Sequence, residues 1–326
     1  MKNTIYKPKI DSYPIYGMIT SLIPDDEYYT KWILNNFIGL RFLKKAYVLF
    51  YEQYRSLLFS SPYLMTEVIN RETLAWEKSD IIQLVRNSIK QGNNVFLFCD
   101  RYYINEYRQF KLEHDLHELF IYGYDAEKDI FHCYDNLSDG KYKPFEVPGN
   151  EMTEAVKIEN MDDYSDYFSN VYVIKQRQWW NGDILDEEQI LSMYSDYVYS
   201  TYRRNILEPF MDVSYGFEVH YDIEVYLNEI ILGEKPEIRV VYILQEHKRL
   251  MSERFKQLYI EKNKIEYLFL SEKYKKLQNE YKVLYMMFLK NIFLRKQEDW
   301  KKVILFYKTI VSREEEIIDW TRENIL

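Results

Sequence analysis

The sequence predicts an α+β protein, with an antiparallel sheet in its first half and helices in its second half. Three observations indicate this class. A helical pattern that ends at Gly92 is followed by the continuous apolar run Val95–Cys99, which is typical of a strand buried on both faces. Further short strand patterns, joined by polar turns, predict an antiparallel meander. From Asp186 onward, apolar residues recur every three or four positions, as they do in helices.

The beginning of the chain carries weaker signals. Residues 1–24 are predicted to be extended because they contain prolines at positions 8, 14 and 24. A helix is predicted from Asp25-Asp26, which are good N-cap residues, to Gly39. Ala46–Phe50 is predicted as a strand, and residues 51–76 carry mixed patterns to which no element is assigned.

The clearest local signal is the helix that precedes the first long strand. Ser79-Asp80 caps it, an apolar stripe runs along it, and Gly92 ends it. After a loop over Arg101–Leu116, strand patterns alternate with polar turns. The predicted elements are the strands Glu118–Tyr124, Ile130–Asp135, Lys141–Val147 and Val171–Gln176, and the short helix Glu151–Val156.

The second half is predicted to be an all-α helical domain. The domain boundary is placed near residue 182, which divides the chain into 1–182 and 183–326. Five helices and no strand are predicted: Glu187–Leu207, Phe217–Leu232, Ile238–Tyr259, Ile265–Leu294 and Trp300–Thr321. The last two helices are long and rich in Lys and Glu, and we expect them to pack antiparallel as a hairpin. A coiled-coil dimer is the alternative.

Composition and charge exclude several classes of protein. The net charge of −9 argues against nucleic acid as the main partner, because phosphate binding needs clustered Lys and Arg. Only two cysteines, Cys99 and Cys133, are present, too few for a disulfide framework or a cysteine-based zinc site. The sequence shows no signal peptide and no run of about 18 apolar residues, so a cytoplasmic protein without a membrane span is expected. No metal or cofactor is predicted.

The aromatic content is high, with 33 Tyr, 18 Phe and 6 Trp. Tyrosine rings have an apolar body and a polar tip, and they can line a pocket or a partner surface. A compositional habit of the genome is the alternative explanation, and the sequence does not decide between the two.

One pair of residues has a pattern that suggests chemistry. His117 opens one predicted strand, and Asp135 closes the strand that hairpins back from it. An antiparallel hairpin returns the end of its second strand to the start of its first, so we expect these side chains to meet. A carboxylate beside an imidazole fixes its tautomer and stabilises the imidazolium, which suits a general base. The alternative is a structural pair, and His114 is a competitor for the same role.

Other charged clusters are less specific. Glu246-His247-Lys248 lies on a predicted helix, where consecutive side chains point in different directions, so it is not predicted as a metal site. His220 and Asp222 have no partners with ligand-like spacing.

The stretch Phe98–Asn136 resembles the N-terminal domain of the butirosin-biosynthesis-protein-H family and, more distantly, the bacteriocin-leader cysteine peptidases. The helix and strand before it, the segment GKYKPFEV after it and the helix ILQEHKRLM also fit the family. The matching residues are Asp100, Tyr102 and Tyr103 at the end of one strand, His117 and Gly123 on the next, and Asp135 on a third.

This resemblance implies a papain-like fold and acyl transfer. In the family, a cysteine at the start of the first helix attacks a carrier-protein thioester, and the acyl group passes to an amine. In this chain the corresponding segment, Tyr13–Ile23, has no cysteine, and Tyr16 or Gly17 falls near the expected position. The nearby hydroxyls belong to Ser12, Thr20 and Ser21. Cys99 and Cys133 lie within predicted strands, where we interpret them as small core residues.

Two functions follow from the resemblance, and a third from the helical half. The first is an acyltransferase or amide-forming enzyme of specialised metabolism, with His117 as base and Asp135 as the group that orients it. Its expected partners are an acyl- or peptidyl-carrier protein and a small-molecule amine. The second is a cysteine-less pseudoenzyme that binds a carrier protein or peptide. The third is a scaffold that forms homo-oligomers through its helical half. The expected substrate-binding residues are Asp100, Tyr102, Tyr103, His114 and Tyr16.

Overall fold

The computed structural model describes residues 1–51, 56–76, 80–138, 140–158, 169–177, 184–201, 212–294 and 297–326. The chain forms two compact units. The sheet unit comprises Met1–Tyr29 and Arg55–Gly182, and the helical unit comprises Thr30–Tyr54 and Asp183–Leu326. The helical unit therefore includes Thr30–Tyr54, which the predicted boundary near residue 182 assigns to the first domain. Residues 178–183, where the boundary was placed, lie outside the described residues.

The α+β class is confirmed, with antiparallel strands concentrated in the first half and long helices in the second. In the first half the elements are α1 (Pro14–Ser21), α2 (Glu27–Asn35), β1 (Leu40–Leu43), β2 (Val48–Tyr51), α3 (Ser56–Ser60), β3 (Leu64–Asn70), α4 (Arg71–Trp76), α5 (Ile81–Lys90), β4 (Asn94–Asp100), β5 (Leu116–Asp125), β6 (Ile130–Asn136), β7 (Tyr142–Pro148), α6 (Gly149–Ala155) and β8 (Asn170–Gln176). In the second half they are α7 (Glu187–Tyr199), β9 (Val213–Tyr215), α8 (Val219–Leu232), α9 (Ile238–Lys262), α10 (Ile265–Leu294) and α11 (Gln297–Asn324).

The sheet unit is built on a six-stranded antiparallel sheet in the order β3-β8-β4-β5-β6-β7. Its β4 to β7 part is the meander that the sequence predicts. Strand β8 does not extend this meander but lies between β3 and β4. The β5–β6 ladder contains an irregularity between Ile121 and Gly123, which shifts the alternation of side chains along β5.

Helix α5 and strand β4 form for the local reasons that the sequence indicates. The Asp80 carboxylate accepts a hydrogen bond of 3.0 Å from the Ile82 N–H, as an N-cap does. The apolar stripe of α5, including Val85 and Ile89, is buried against one face of the sheet. Every residue of β4 is buried, which explains its continuous apolar pattern. Ser79, the other predicted cap residue, lies outside the described residues.

The extended prediction for residues 1–24 is wrong over Pro14–Ser21, which form helix α1. Pro14 stands at the start of that helix, where its fixed φ is compatible with the helix and its missing N–H costs nothing. A proline signals a break inside a helix but favours a helix when it stands at the first turn. Helix α2 also ends earlier than predicted, at Asn35 rather than near Gly39.

The helical unit contains a small sheet as well as helices, so the prediction that the second half has no strand is wrong. Its order is β2-β1-β9, and β9 pairs with β1 over Leu43↔Val213 to Arg41↔Tyr215. Strand β9 has three residues, too few for a visible alternation, and its partner lies far earlier in the chain. The predicted helix Glu187–Leu207 ends at Tyr199, and residues 202–211 lie outside the described part.

Helices α10 and α11 pack antiparallel, as expected for a helical hairpin. The ring of Phe288, near the end of α10, lies 4.8 Å from that of Trp300 near the start of α11. Phe269 and Trp320, at the opposite ends, lie 4.1 Å apart. Among the described residues, no helix is long and apolar enough to cross a membrane.

Candidate functional site

Strands β4, β5 and β6 bring His117 and Asp135 to the same face of the sheet. His117 is in register with Cys99 of β4, so their side chains share a face. Asp135 lies two residues after Cys133 on β6, which points its side chain to that face too. Cys99 and Cys133 belong to the core that α5 and α6 cover. The pair therefore lies on the helix-covered face of the sheet.

Arg101 stands between the two residues. Its Nη2 lies 2.7 Å from Nδ1 of His117 and donates to Oδ2 of Asp135 at 3.0 Å, whereas His117 Nδ1 and Asp135 Oδ2 are 3.4 Å apart. The Tyr107 hydroxyl donates to the same carboxylate oxygen at 2.6 Å, and the Arg101 guanidinium lies 4.6 Å from the centre of the Tyr107 ring. The other oxygen of Asp135 accepts the Asn136 N–H at 2.6 Å. Asp135 thus contacts a cation, a phenol and a backbone amide in addition to His117.

These contacts keep the buried carboxylate ionised. Burial alone would raise the pKa of Asp135, but the charges and hydrogen bonds of His117, Arg101 and Tyr107 outweigh burial and lower it. Burial would lower the pKa of Arg101, and the Asp135 carboxylate raises it instead. Burial and the same carboxylate raise the pKa of Tyr107 well above its ordinary value. Near neutral pH the cluster is therefore an arginine–carboxylate ion pair with a neutral phenol.

His117 reaches solvent, since 22% of its side chain is exposed. Its Nδ1 lies 3.1 Å from the Glu118 carbonyl oxygen, in addition to its closer contact with Arg101. Arg101 can only donate, so its contact favours Nδ1 as an acceptor, whereas the Glu118 carbonyl and the Asp135 carboxylate can only accept and favour a proton on Nδ1. In a base that is oriented by a carboxylate, the Nδ1–H is donated to the acid and no cation shares that nitrogen.

A second group of predicted residues lies beside this cluster. The Asp100 carboxylate accepts the N–H groups of Tyr102 and Asp115, and it contacts His114 Nδ1 at 2.6 Å. The His114 ring stacks on Tyr102 with 4.2 Å between centroids, and the Tyr102 and Tyr103 rings meet edge to face at 5.0 Å. His114 is 65% exposed. The structure thus brings four of the predicted binding residues together, around the start and end of the loop between β4 and β5.

Tyr16 is separated from these residues. It lies in α1 and is fully buried, with its ring edge-on to Tyr13 at 5.8 Å. A Cβ at Gly17 would lie 2.3 Å from a ring atom of Tyr142, so α1 packs directly on the sheet at that ring. Tyr142 is in register with Asn136, the neighbour of Asp135, and neighbouring residues on a strand face opposite sides. Helix α1 and the His117–Asp135 pair therefore lie on opposite faces of the sheet.

The hydroxyls near α1 are also engaged in structural bonds. Thr20 Oγ1 donates to the carbonyls of Tyr16 and Ile10, and Ser21 Oγ donates to that of Met18. Thr20, Ser21 and the neighbouring Ser12 are all buried. The structure therefore does not bring a hydroxyl from this region to His117.

The two cysteines are core residues. Both are fully buried, and burial followed by the Asp135 charge raises the pKa of Cys99. Burial followed by the influence of Cys99 raises that of Cys133. A thiol with a raised pKa stays protonated near neutral pH and is a poor nucleophile. Cys99 lies directly across the ladder from His117, but it is closed to solvent.

Sequence reasoning missed Arg101 and Tyr107, which hold Asp135. Both belong to Arg101–Leu116, which the sequence predicts only as a loop. One signal was available, because a buried carboxylate requires a counter-charge and Arg101 immediately follows the buried strand β4.

Among the described residues, no group of three or more His, Cys, Asp or Glu side chains is placed to hold a metal ion. A scan of protein-family models found no match to this chain, and a search of curated proteins found none either.

Proposed function

We propose that this chain is a non-catalytic binding protein, a pseudoenzyme form of the papain-like acyl-transfer architecture that binds a carrier protein or peptide. The position of the Arg101 guanidinium is the observation that supports this most. It contacts both His117 Nδ1 and Asp135 Oδ2, where a working base would donate its own proton to the acid. Asp135 then serves as the counter-ion of a buried arginine, and the Arg101 cation shares the nitrogen through which an acid would orient His117 as a base.

The nucleophilic side chains near His117 and Asp135, among the described residues, support the same proposal. Cys99, across the ladder from His117, is buried with a raised pKa. The hydroxyls near α1 are buried, and that helix lies on the opposite face of the sheet. A covalent acyl intermediate needs an activated nucleophile within hydrogen-bond reach of the base.

The binding surface in this proposal consists of Tyr102, Tyr103 and His114. Their rings are stacked and in edge contact, so they are ordered before any partner arrives. Asp100 fixes the turn beneath them through the Tyr102 N–H and the His114 ring. Ordered aromatic side chains give binding surface at a small cost in conformational entropy.

The test uses a carrier protein loaded with an acyl-phosphopantetheine thioester. We expect saturable binding by calorimetry and no loss of thioester by mass spectrometry. Tyr102→Ala should weaken binding about fivefold, since an aromatic contact contributes about 1 kcal/mol. Tyr199→Ala is the matched control, because Tyr199 is a half-exposed tyrosine of the helical unit and should not affect Kd. No binding to the loaded carrier, or equal effects of the two variants, would contradict the proposal.

A second candidate is direct acyl transfer to an amine, without an enzyme-bound intermediate. The partial exposure of the His117 ring favours it, because a substrate amine can reach that side chain. In this case the loaded carrier and a small amine should yield an amide, and His117→Ala should remove the activity. Turnover that depends on His117 would establish this candidate and overturn the non-catalytic proposal.

A further inference from the structure

The two edges of the six-stranded sheet are protected differently. Strands β7 and β3 are its terminal strands, each paired on one side only. The outer N–H and C=O groups of such a strand can pair with another chain unless the sequence prevents it. The backbone bonds near the ends of each ladder show which residues face outward.

Strand β7 has prolines at outward positions. The Leu137 N–H donates to the Lys141 carbonyl, and the Gly149 N–H donates to that of Asp129, so odd-numbered residues of this strand face β6. The residues that face outward are Tyr142, Pro144, Glu146 and Pro148. Two of these four have no N–H to donate. Edge strands protected in this way resist pairing with another strand.

Strand β3 has no such protection. The Arg71 N–H donates to Ser169 and the Arg177 N–H to Tyr63, so odd-numbered residues of this strand face β8. Leu64 faces outward, and its N–H bonds to the Ser61 carbonyl. The outward residues that follow are Thr66, Val68 and Asn70. The backbone groups of Thr66 and Val68 and the Asn70 N–H have no backbone partner among the described residues. The Asn70 carbonyl directly precedes α4, in the position that accepts the first bond of a helix.

The side chains along β3 are exposed as well. Met65 is 43% exposed and Val68 is 44% exposed, on opposite faces of the strand. The preceding helix α3 lies over a face of the sheet, because its Phe59 ring contacts that of Tyr172 on β8 at 6.4 Å. This leaves a seven-residue edge with apolar side chains on both faces and no proline.

We propose that β3 pairs antiparallel with β3 of a second copy of this chain, about a two-fold axis at Val68. In this register Val68 lies opposite Val68 of the second copy, Thr66 opposite Asn70, and Glu67 opposite Ile69. Val68 then exchanges two hydrogen bonds with its counterpart, and the Asn70 N–H of each copy donates to the Thr66 carbonyl of the other. The interface is isologous and makes one continuous sheet from two.

The two neighbouring registers are less favourable than the register centred on Val68. An axis at Glu67 places the two Glu67 carboxylates directly opposite each other, which is destabilising. It also pairs Asn70 with Leu64, whose N–H is already bonded to Ser61. An axis at Ile69 leaves Thr66 opposite Glu72, which belongs to helix α4. The axis at Val68 places no two carboxylates opposite each other, and it pairs none of Thr66, Val68 and Asn70 with a residue of helix α4.

The test is disulfide trapping of the full chain under mild oxidation. Facing residues of a hydrogen-bonded antiparallel pair have Cα atoms about 5.5 Å apart, within the range of a disulfide. Val68→Cys should therefore form a covalent dimer. Met65→Cys is the matched control, because Met65 is equally exposed but would lie about 20 Å from its counterpart, at about 3.4 Å per residue. The native cysteines are buried and should not contribute.

We expect at least about tenfold more covalent dimer from Val68→Cys than from Met65→Cys, since random collisions would trap both alike. Val68→Pro gives a second measurement, because it removes an outward N–H and leaves the bonds to β8 in place. It should make the protein a monomer in sedimentation while its circular dichroism stays unchanged. Equal trapping of both cysteine variants, or a wild-type chain that sediments as a monomer throughout its soluble range, would overturn the proposal.

Discussion

Two buried carboxylates, Asp135 in the sheet unit and Glu314 in the helical unit, have partners of the same kinds. Each is fully buried and paired with a cation, Arg101 in one case and Lys248 in the other. Each also accepts a hydrogen bond from a tyrosine hydroxyl, at 2.6 Å from Tyr107 and at 2.7 Å from Tyr197. A histidine completes both clusters. The difference between them is access to solvent.

The Glu314 cluster is closed on every side. His220 Nε2 lies 3.4 Å from Glu314 Oε2, its Nδ1 lies 2.8 Å from the Tyr307 hydroxyl, and its side chain is fully buried. The Lys248 Nζ donates to the Tyr197 hydroxyl at 2.8 Å and lies among aromatic rings. Burial, and then the Lys248 charge, lower the pKa of His220 well below its ordinary value. The sequence Glu246-His247-Lys248 thus contributes to the core rather than to a metal site.

Similar sets of residues have different roles in the two units. In the helical unit, the charged and hydroxyl groups meet inside a closed core, so the cluster contributes to packing and stability. In the sheet unit, the ion pair of Asp135 and Arg101 is also structural, but His117 and the neighbouring His114 reach water. Contact with a partner is therefore possible only at the sheet-unit cluster.

The largest expected effect is at Lys248. Lys248→Met leaves the Glu314 carboxylate buried without its cation, and we expect a loss of about 3–5 kcal/mol in the free energy of unfolding. Urea unfolding followed by circular dichroism measures it. The double variant Lys248→Met/Glu314→Leu removes both charges and should recover most of this loss. A single variant within about 1 kcal/mol of wild type would show that the pair is not a closed, charged one.

Asp135→Asn should have a smaller effect on the free energy of unfolding. It removes one of the two carboxylates that contact Arg101 but keeps an amide oxygen that can accept from Tyr107 and the Asn136 N–H. We expect a loss of about 2–3 kcal/mol, because Arg101 keeps its contact with the Asp115 carboxylate at 3.3 Å. Tyr107→Phe, which removes only one donor, should cost about 1 kcal/mol. Equal losses in the two variants would mean that Arg101 is not the main partner of Asp135.

The sequence predicts only part of the structure on which these expected effects depend. Helix α5, strand β4 and the meander follow from local patterns of caps, apolar runs and turns. The hairpin geometry also predicts that His117 and Asp135 approach each other, and they do. The position of Arg101 between them does not follow, because it depends on how the loop after β4 folds back. The face on which α1 packs depends on long-range register, including the irregularity in β5, and no local pattern records it.

A decrease in pH should destabilise the two clusters at different pH values, because His220 and Asp135 titrate in different ranges. The pKa of His220 is lowered in the fold, so between that pKa and about 6.5 the unfolded chain binds a proton that the folded chain does not. Stability then falls as pH decreases, by up to about 1.4 kcal/mol per pH unit for this group. The pKa of Asp135 is also lowered, so its contribution is present above about pH 4 and is lost below it.

Urea unfolding of wild type and His220→Gln at about pH 7.5 and about pH 5.5 tests this difference. The variant should lose less stability than wild type over that interval, because it lacks the buried imidazole. Asp135→Asn should lose as much as wild type over the same interval and less than wild type only below about pH 4. If the wild-type protein has the same free energy of unfolding at about pH 7.5 and about pH 5.5, His220 is not a neutral buried imidazole.

The smallest effect on stability is expected at His114. Its ring is largely exposed, and its contact with Asp100 is open to water, so His114→Ala should change the free energy of unfolding by less than about 0.5 kcal/mol. If this surface binds the partner, the same substitution should still weaken Kd several-fold, because stacking on Tyr102 presents the ring to the partner. A loss of binding without a loss of stability distinguishes a contact residue from a packing residue. If both quantities stay at their wild-type values, His114 has no part in binding, and the contact surface must be sought nearer His117.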